Sequence, residues 1–215
     1  MDTQTTLTIR PATADDYPAL ARLLAEGFKG KFAIALGKDE VIRARRIEML
    51  LPYKVVCPGY IYVLYDGETL AASFTLKTVE TSPTATDYRQ SRAALQATDG
   101  WWRAWWATII FRLLGGDALK PNESYLDNLV TARAMQRRGA GTQAAAHAYT
   151  ESHALGKTFI VADVMSSNYR VVGLYKKEGW DVVGRNYWVA PITWPLLGTP
   201  GILRIRKELT NSADE

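Results

Sequence analysis

Between Ser124 and Ala154 the chain carries a strand-like run, a short basic turn with two glycines and a helix-like run, in that order. Ser124–Thr131 (SYLDNLVT) has the composition of a strand. Gly139 to Ala154 has the composition of a helix, and Gln136-Arg137-Arg138-Gly139-Ala140-Gly141-Thr142 joins the two. Such a junction is a place to hold phosphate. The first turn of a helix has backbone N–H groups without helical partners, and the macrodipole adds partial positive charge there. Glycine at 139 and 141 removes side chains that would keep an anion from the backbone. Arg137 and Arg138 add charge and forked donors. The string is neither a G-x-x-x-x-G-K-[ST] phosphate loop nor a G-x-G-x-x-G dinucleotide turn. A merely solvated turn has the same local pattern, so the pattern by itself leaves both readings open.

The flanking segments read as a mixed α/β chain without internal repeats. Thr6–Arg10 alternates and is β-branched, as a first strand is. Thr13 or Asp15 can cap a helix running to about Gly27, with Tyr17, Leu20, Leu23, Leu24 and Phe28 at helical spacing. Asp39–Leu50 reads as a second amphipathic helix, ended by Pro52. Tyr60–Tyr65 and Thr69–Val79 flank Asp66-Gly67, a hairpin signal. After the glycine turn and its helix come a strand over Thr158–Val164 and a helix over Asn168–Glu178. Two last strands, Asp181–Val189 and Ile202–Leu209, are separated by a proline-rich stretch from Pro191 to Pro200. Asn211–Glu215 reads as a disordered tail.

Composition narrows the class. The chain has 215 residues, enough for one domain with a sizeable core, and 47% are hydrophobic, which argues against disorder. Its net charge is +4, with basic residues spread along the chain rather than clustered among aromatics, so nucleic acid is not an expected partner. Cys57 is the single cysteine and cannot form an internal disulfide. The polar, acidic start (MDTQTTLT) lacks the charged and apolar regions of a signal peptide, and the expected location is cytoplasmic.

Three segments together are specific. Q-R-R-G-A-G after the strand is similar to the acyl-CoA-binding motif of the GNAT superfamily of N-acetyltransferases: Arg or Gln, two residues, Gly, one residue, then Gly or Ala. Asn168-Tyr169-Arg170-Val171-Val172-Gly173-Leu174-Tyr175-Lys176-Lys177-Glu178-Gly179-Trp180 resembles the family's N…LY-x-x-x-G-F segment, with Trp180 for the usual Phe. Leu7-Thr8-Ile9-Arg10-Pro11-Ala12 followed by Asp15-Asp16 resembles its first strand and helix start. Two departures stand out. Thr131 and Arg133 occupy places where the family often has Val and Pro, and Val171 stands where Ala is usual. The resemblance implies a single α/β GNAT domain over residues 1–210. Its mixed central sheet would have about six to seven strands flanked by helices, with a helical insertion before the fourth strand.

It also implies direct transfer of an acetyl group from acetyl-CoA to an amine acceptor, first of all a small molecule. A protein or peptide amine, or a non-catalytic acyl-CoA-binding module, are the alternatives. By resemblance, the backbone of Leu129, Val130 and Thr131 would hydrogen-bond the pantetheine arm. The turn Gln136, Arg137, Arg138, Gly139, Ala140, Gly141 and Thr142 would hold the pyrophosphate, through the N–H groups from Arg138 to Thr142. Asn168 would contact the pantetheine or the nucleotide end. Tyr175, seven residues after Asn168 as in the family, would be the general acid. Alternation along a strand puts Glu123, Tyr125 and Asp127 on one side. Asp127 is the first candidate base and Glu123 the second; a solvated or structurally paired carboxylate explains either equally well. No metal ligand set is implied.

Residues 81–121 exceed what the family core needs. Trp101/Trp102, Trp105/Trp106, Ile109/Ile110 and Leu113/Leu114 recur every four residues and predict one broad helical stripe. Packing of that stripe on the domain or across a homodimer interface is the leading expectation, a wall or lid of the acceptor pocket the next, and membrane contact the last.

Overall fold

The computed structural model describes residues 7–114, 119–187, 194 and 201–209. Its strands are β1 (Thr8–Pro11), β2 (Tyr60–Asp66), β3 (Thr69–Lys77), β4 (Glu123–Thr131), β5 (Phe159–Met165), β6 (Asp181–Asn186) and β7 (Ile202–Glu208). Its helices are α1 (Tyr17–Gly27), α2 (Lys29–Leu36), α3 (Glu40–Leu50), α4 (Ala85–Asp99), α5 (Trp101–Leu114), α6 (Ala140–Ala154) and α7 (Tyr169–Lys177). The strands form one sheet in the order β1-β2-β3-β4-β5-β7-β6. All neighbours are antiparallel except β4 and β5, which are parallel. This is the mixed seven-stranded sheet with flanking helices expected from the sequence. The proline-rich stretch except Trp194, the end of the sixth strand expected at Val189 and the C-terminal tail lie outside the described residues.

Helices cover both faces. On one side Leu20, Leu24, Phe32, Leu36, Ile47 and Leu50 of α1–α3 pack with Leu95, Ala104, Ala107, Ile110 and Phe111 of α4 and α5. On the other, Ala140, Ala144 and Ala148 of α6 lie against Leu64, Phe74, Leu76, Leu126 and Ile160 of the sheet, with Trp180 at the end of α7. Alanine on the buried side of α6 lets that helix approach the sheet closely, which places the glycine turn beside β4.

Two helices were not apparent in the sequence pattern. Lys29–Leu36 continues directly from α1, and the backbone breaks only at Phe28 (φ −113°, ψ 40°). Arg43, with no exposed surface, donates to the carbonyls of Ala25, Gly37 and Lys38 and so ties the ends of α1 and α2 to α3. Helix α4 is polar over most of its length, and only Ser91 and Leu95 of it are buried. It starts at Thr84, whose hydroxyl accepts from Asp87 N–H while the Asp87 carboxylate accepts from Thr84 N–H.

Of the α5 stripe, Ile110 packs on the domain, whereas the tryptophans do not. Ala104, Ala107, Ile110 and Phe111 face the domain, while Trp102 is 75% exposed and Trp101, Trp105, Trp106 and Ile109 are exposed beside it. The small alanines allow α5 to sit closely on α2, and Trp106 Nε1 donates to Ile34 O (2.8 Å). The side chains of Leu113 and Leu114 lie outside the described residues.

Asp16 fixes the first strand to the first helix. Its carboxylate accepts from Arg10 Nη1 and Nη2 (2.7 and 2.8 Å), Thr13 N (2.7 Å) and Tyr65 Oη (2.9 Å). The Arg10 guanidinium and these further donors hold the Asp16 carboxyl well below the usual carboxylate range. A depressed folded pKa stabilises the fold above the unfolded value and ceases to do so as pH falls through the folded one. Asp16→Asn should therefore cost about 2 kcal/mol at pH 7, roughly 4–8 °C in Tm. The deficit should shrink in thermal scans taken progressively below about pH 4.

Candidate functional site

Strand β4 turns over part-way along its length. Thr131 and Val130 pair with Ala72 and Ser73, but the register shifts before Asp127 meets Thr75. Asn128 between them has φ +52°, in the left-handed region that Asn tolerates better than most residues. Before this bulge, Ser124 donates to Ser152 of α6 (2.8 Å) and Leu126 packs in the α6-side core, while Tyr125 and Asp127 face the α1–α5 side. After it the alternation is inverted. Val130 packs in the core of α1–α5, and Leu129 and Thr131 line a cavity on the α6–α7 side.

Side-chain bonds hold the bulge. Asn128 Nδ2 donates to Val56 O (3.0 Å), Asn128 N–H donates to Asp127 Oδ1 (2.8 Å), and Lys31 Nζ of α2 donates to both Asn128 Oδ1 (2.8 Å) and Asp127 Oδ1 (2.9 Å). Cys57 lies against the same amide (3.5 Å); burial pushes its thiol up to about 12, so it is an uncharged, unreactive group. Helix α1 approaches β4 so closely at Gly27 that a Cβ there would lie 2.3 Å from Val130 Cγ2.

The glycine turn opens onto the widening gap between β4 and β5. Their parallel pairing covers Glu123↔Phe159, Ser124↔Ile160 and Tyr125↔Val161 and then ends. Beyond it lies a cavity of ≈ 380 Å³ lined by Leu129 and Thr131 of β4, Gln136, Arg137, Gly139, Gly141 and Thr142 of the turn and α6, and Val171 and Tyr175 of α7. Gly139 caps α6 with φ +84°, and a Cβ built on it meets nothing within 4 Å, so its space faces the opening. The first intrahelical bond runs from Gln143 N to Gly139 O (2.9 Å), which leaves the amides of Ala140, Gly141 and Thr142 in the helix's unpartnered first turn.

Not every expected group meets here. Arg138 N–H closes the turn onto Met135 O (3.4 Å), and its guanidinium approaches Met135 Sδ (3.7 Å). Ala140 is packed into the α6-side core, and the side chain of Val130 faces the opposite core. Asn168 caps α7, its Oδ1 accepting from Val171 N (3.4 Å), at the far end of that helix from Tyr175. Glu123 accepts from Lys120 N–H (3.2 Å) and lines neither cavity described here.

Tyr175 lies edge-on to Trp180 (centroids 5.0 Å apart) with one side on the cavity. Burial, with the nearby Tyr149 and Glu178, raises its phenol to about 12. The group therefore carries its proton throughout the neutral range.

Asp127 lines a second, smaller cavity of ≈ 30 Å³ on the other side of β4, with Lys31, Lys77, Tyr88, Phe111 and Tyr125. Phe111 and Tyr88 bring the insertion into this wall, and the Arg112 guanidinium lies 5.0 Å from the Tyr88 ring centre. The sequence pattern singled out neither lysine. A strand-interior Asp-Asn pair, disfavoured in strands, was the available sign that β4 departs from regular pairing at this point.

The Acetyltransferase (GNAT) family model matches residues 43–180. The chain belongs to the GNAT acetyltransferase family. Solved structures share the fold. One, described only as an acetyltransferase, is 19% identical, with 94% of this chain and all of that chain covered and a TM-score of 0.62. The ribosomal-protein-S18-alanine N-acetyltransferase of Escherichia coli is 13% identical, with 98% of each chain covered and a TM-score of 0.56. YncA of Salmonella typhimurium, a putative acetyltransferase solved with acetyl-CoA, is 15% identical, with 98% of each covered and a TM-score of 0.54. A search of the curated proteins gives no match. Among the described residues no helix is long and apolar enough to cross a membrane, and no cluster of residues could hold a metal ion.

The GNAT cofactor is acetyl-CoA, and the residues present suit it. A glycine turn with an open Cβ position, a helix start and an unpaired stretch of strand edge border one cavity, in the sequence a diphosphate followed by an extended arm requires. The bulge that makes this edge can be tested by two replacements. Asn128→Ala and Asn128→Gly both leave Val56 O without its donor, and each should cost about 1–3 kcal/mol in urea unfolding. Alanine should be the worse by roughly 1 kcal/mol, because glycine keeps the left-handed backbone.

Proposed function

We propose that the protein moves an acetyl group from acetyl-CoA directly to the amine of a small molecule. The observation that carries this reading is the coincidence, in one cavity, of the glycine-turn helix start and a protonated, half-buried Tyr175. The first-turn amides of α6 and the charge of Arg137 hold the diphosphate. The open edge of β4 at Leu129–Thr131 takes the pantetheine amides, and its N–H groups polarise the thioester carbonyl as negative charge develops on its oxygen.

The chemistry is an acyl transfer in which atoms balance simply. The neutral amine nitrogen bonds to the carbonyl carbon, the carbon–sulfur bond breaks, the amine loses one proton and the thiolate gains one. Asp127 is the group proposed to receive the amine proton. It is partly exposed, lines the cavity on the other side of the bulge and is fixed in direction by Lys31. Glu123 is the weaker candidate because its carboxylate is engaged with Lys120 N–H. Tyr175 supplies the proton to sulfur. A phenol raised to about 12 keeps its proton through the neutral range and so has one to give to the departing sulfur, after which the phenolate takes a proton back from solvent. A small-molecule acceptor fits the narrow space beside Asp127 better than an extended peptide does. The related alanine N-acetyltransferase named above keeps a protein amine as the second reading.

Tyr175→Phe should lower kcat by about 100-fold or more with acetyl-CoA affinity retained. Because the phenol titrates near 12, the wild-type rate should show no descending limb up to about pH 10; a limb centred near pH 8 would assign the acid elsewhere. Gly139→Val should weaken acetyl-CoA binding at least tenfold by calorimetry, since the new side chain occupies the open space at the helix start and strains a left-handed residue.

A further inference from the structure

We propose that the outer face of α5 docks on an anionic lipid surface, lying flat among the headgroups without crossing the bilayer. Trp101, Trp102, Trp105, Trp106 and Ile109 make up this face, and all five are exposed. The Trp101 ring centre lies 5.8 Å from that of Trp102 and 6.5 Å from that of Trp105, so the indoles form one slab rather than scattered single residues. Ile42 of α3, 48% exposed, stands one turn before Arg46, and Arg46 bonds Asp99 just ahead of Trp101. That places Ile42 on the side of α3 turned to the start of α5. An indole suits a boundary between water and hydrocarbon, because it buries its ring and keeps its N–H among polar groups. The opposite side of α5, with Ala104, Ala107, Ile110 and Phe111, is packed in the domain, so the indoles stand on a fixed platform. The helix is about 21 Å long, shorter than a hydrocarbon core, and its apolar side is one face only.

Charge selects the occupant. Read by itself, α5 has only Arg103 and Arg112, too few for an anionic surface. Packing adds the charges of α2, which Trp106 touches at Ile34, and of α4, whose Tyr88 ring lies under Arg112. Together α2, α4 and α5 hold six Lys and Arg against two Asp. That net +4 equals the charge of the whole chain, so the other elements are neutral together. Pairings that leave this layer cancel, since Lys31 is matched by Asp127 of β4 and Asp99 by Arg46 of α3. At the α2 end of the slab Lys38 is exposed beside Gly37, and a Cβ built on Gly37 would lie 3.5 Å from Arg103 Nη1. The neighbouring acids are turned onto α3: Asp39 accepts from Ile42 N–H, and Glu40 lies 3.7 Å from Arg43. A positive layer carrying an indole face is attracted to anionic headgroups. A second copy would set two such layers against each other, and like charges across a contact oppose it. The indoles project from the convex side of a helix, which has no groove to track a nucleic-acid strand.

The test uses the full chain and sedimentation with vesicles of phosphatidylcholine, alone or mixed with an equal part of phosphatidylglycerol. Partition onto the mixed vesicles should exceed that onto phosphatidylcholine at least about tenfold in about 50 mM salt, and the excess should vanish in about 0.5 M salt. Replacing Trp102 and Trp105 together by Ser should lower partition at least about tenfold. Trp194→Ser, at a tryptophan 63% exposed outside the insertion, should leave it unchanged. Circular dichroism and thermal scans establish that each variant is folded. If the double replacement does not fold, Trp102→Ser alone, at a side chain 75% exposed, should still lower partition about threefold. No binding of the wild type to mixed vesicles, equal binding to both compositions, an excess indifferent to salt, or binding indifferent to loss of the indoles overturns the proposal. Self-association abolished by the same replacements, in place of vesicle binding, would give the face to a second copy. Indole-dependent binding of a single-stranded oligonucleotide in place of vesicles would give it to nucleic acid, and either result overturns the lipid assignment.

Discussion

At Asn128 a single left-handed residue inverts the side-chain alternation of β4, and the arrangement of both cavities follows from it. A regular strand from Glu123 to Thr131 would send Asp127, Leu129 and Thr131 to the same face. The bulge instead gives Tyr125 and Asp127 to the α1–α5 side, and Leu129 and Thr131 to the α6–α7 side. One strand thus lines a different cavity on each of its sides. The amide of Asn128 and the ammonium of Lys31 hold this geometry in place of regular ladder bonds.

The close approaches around β4 depend on small residues at chosen points. Gly27 lets α1 touch Val130, and the alanines of α6 let the glycine turn reach the strand edge. Larger side chains in these places would move the start of α6 away from the edge of β4. The insertion acts from the opposite side. Its alanines seat α5 on α2, and Phe111 and Tyr88 then reach the recess beside Asp127. Its tryptophans remain exposed on the outer side. Apolar residues on both faces of α5 explain why periodicity could not tell its packed side from its exposed one.

Most strands and the glycine-turn helix were legible because their patterns are local. β2 and β3 are marked by alternation around Asp66-Gly67, and α6 by the glycines that open it. Helix α2 was hidden because its break from α1 is a backbone turn at Phe28 with no proline or glycine cap to mark it. Helix α4 was hidden because only Ser91 and Leu95 of its residues are buried. Which amides of the turn stay unbonded was also not local information. Arg138 N–H is consumed by a turn to Met135, a bond the string Q-R-R-G does not announce.

The sequence alone determined the family, the order of most elements, the position of the glycine turn and the presence of a tyrosine seven residues after Asn168, because each is written in adjacent or regularly spaced residues. Tertiary structure alone decided which side of β4 each residue serves, that Glu123 turns onto Lys120, that Lys31 and Lys77 join Asp127, and that the tryptophans face outward. Lys31 and Asp127 are 96 residues apart, and Lys77 comes from a different strand. Pairings over such separations arise only when the sheet register and the helix packing bring distant segments together.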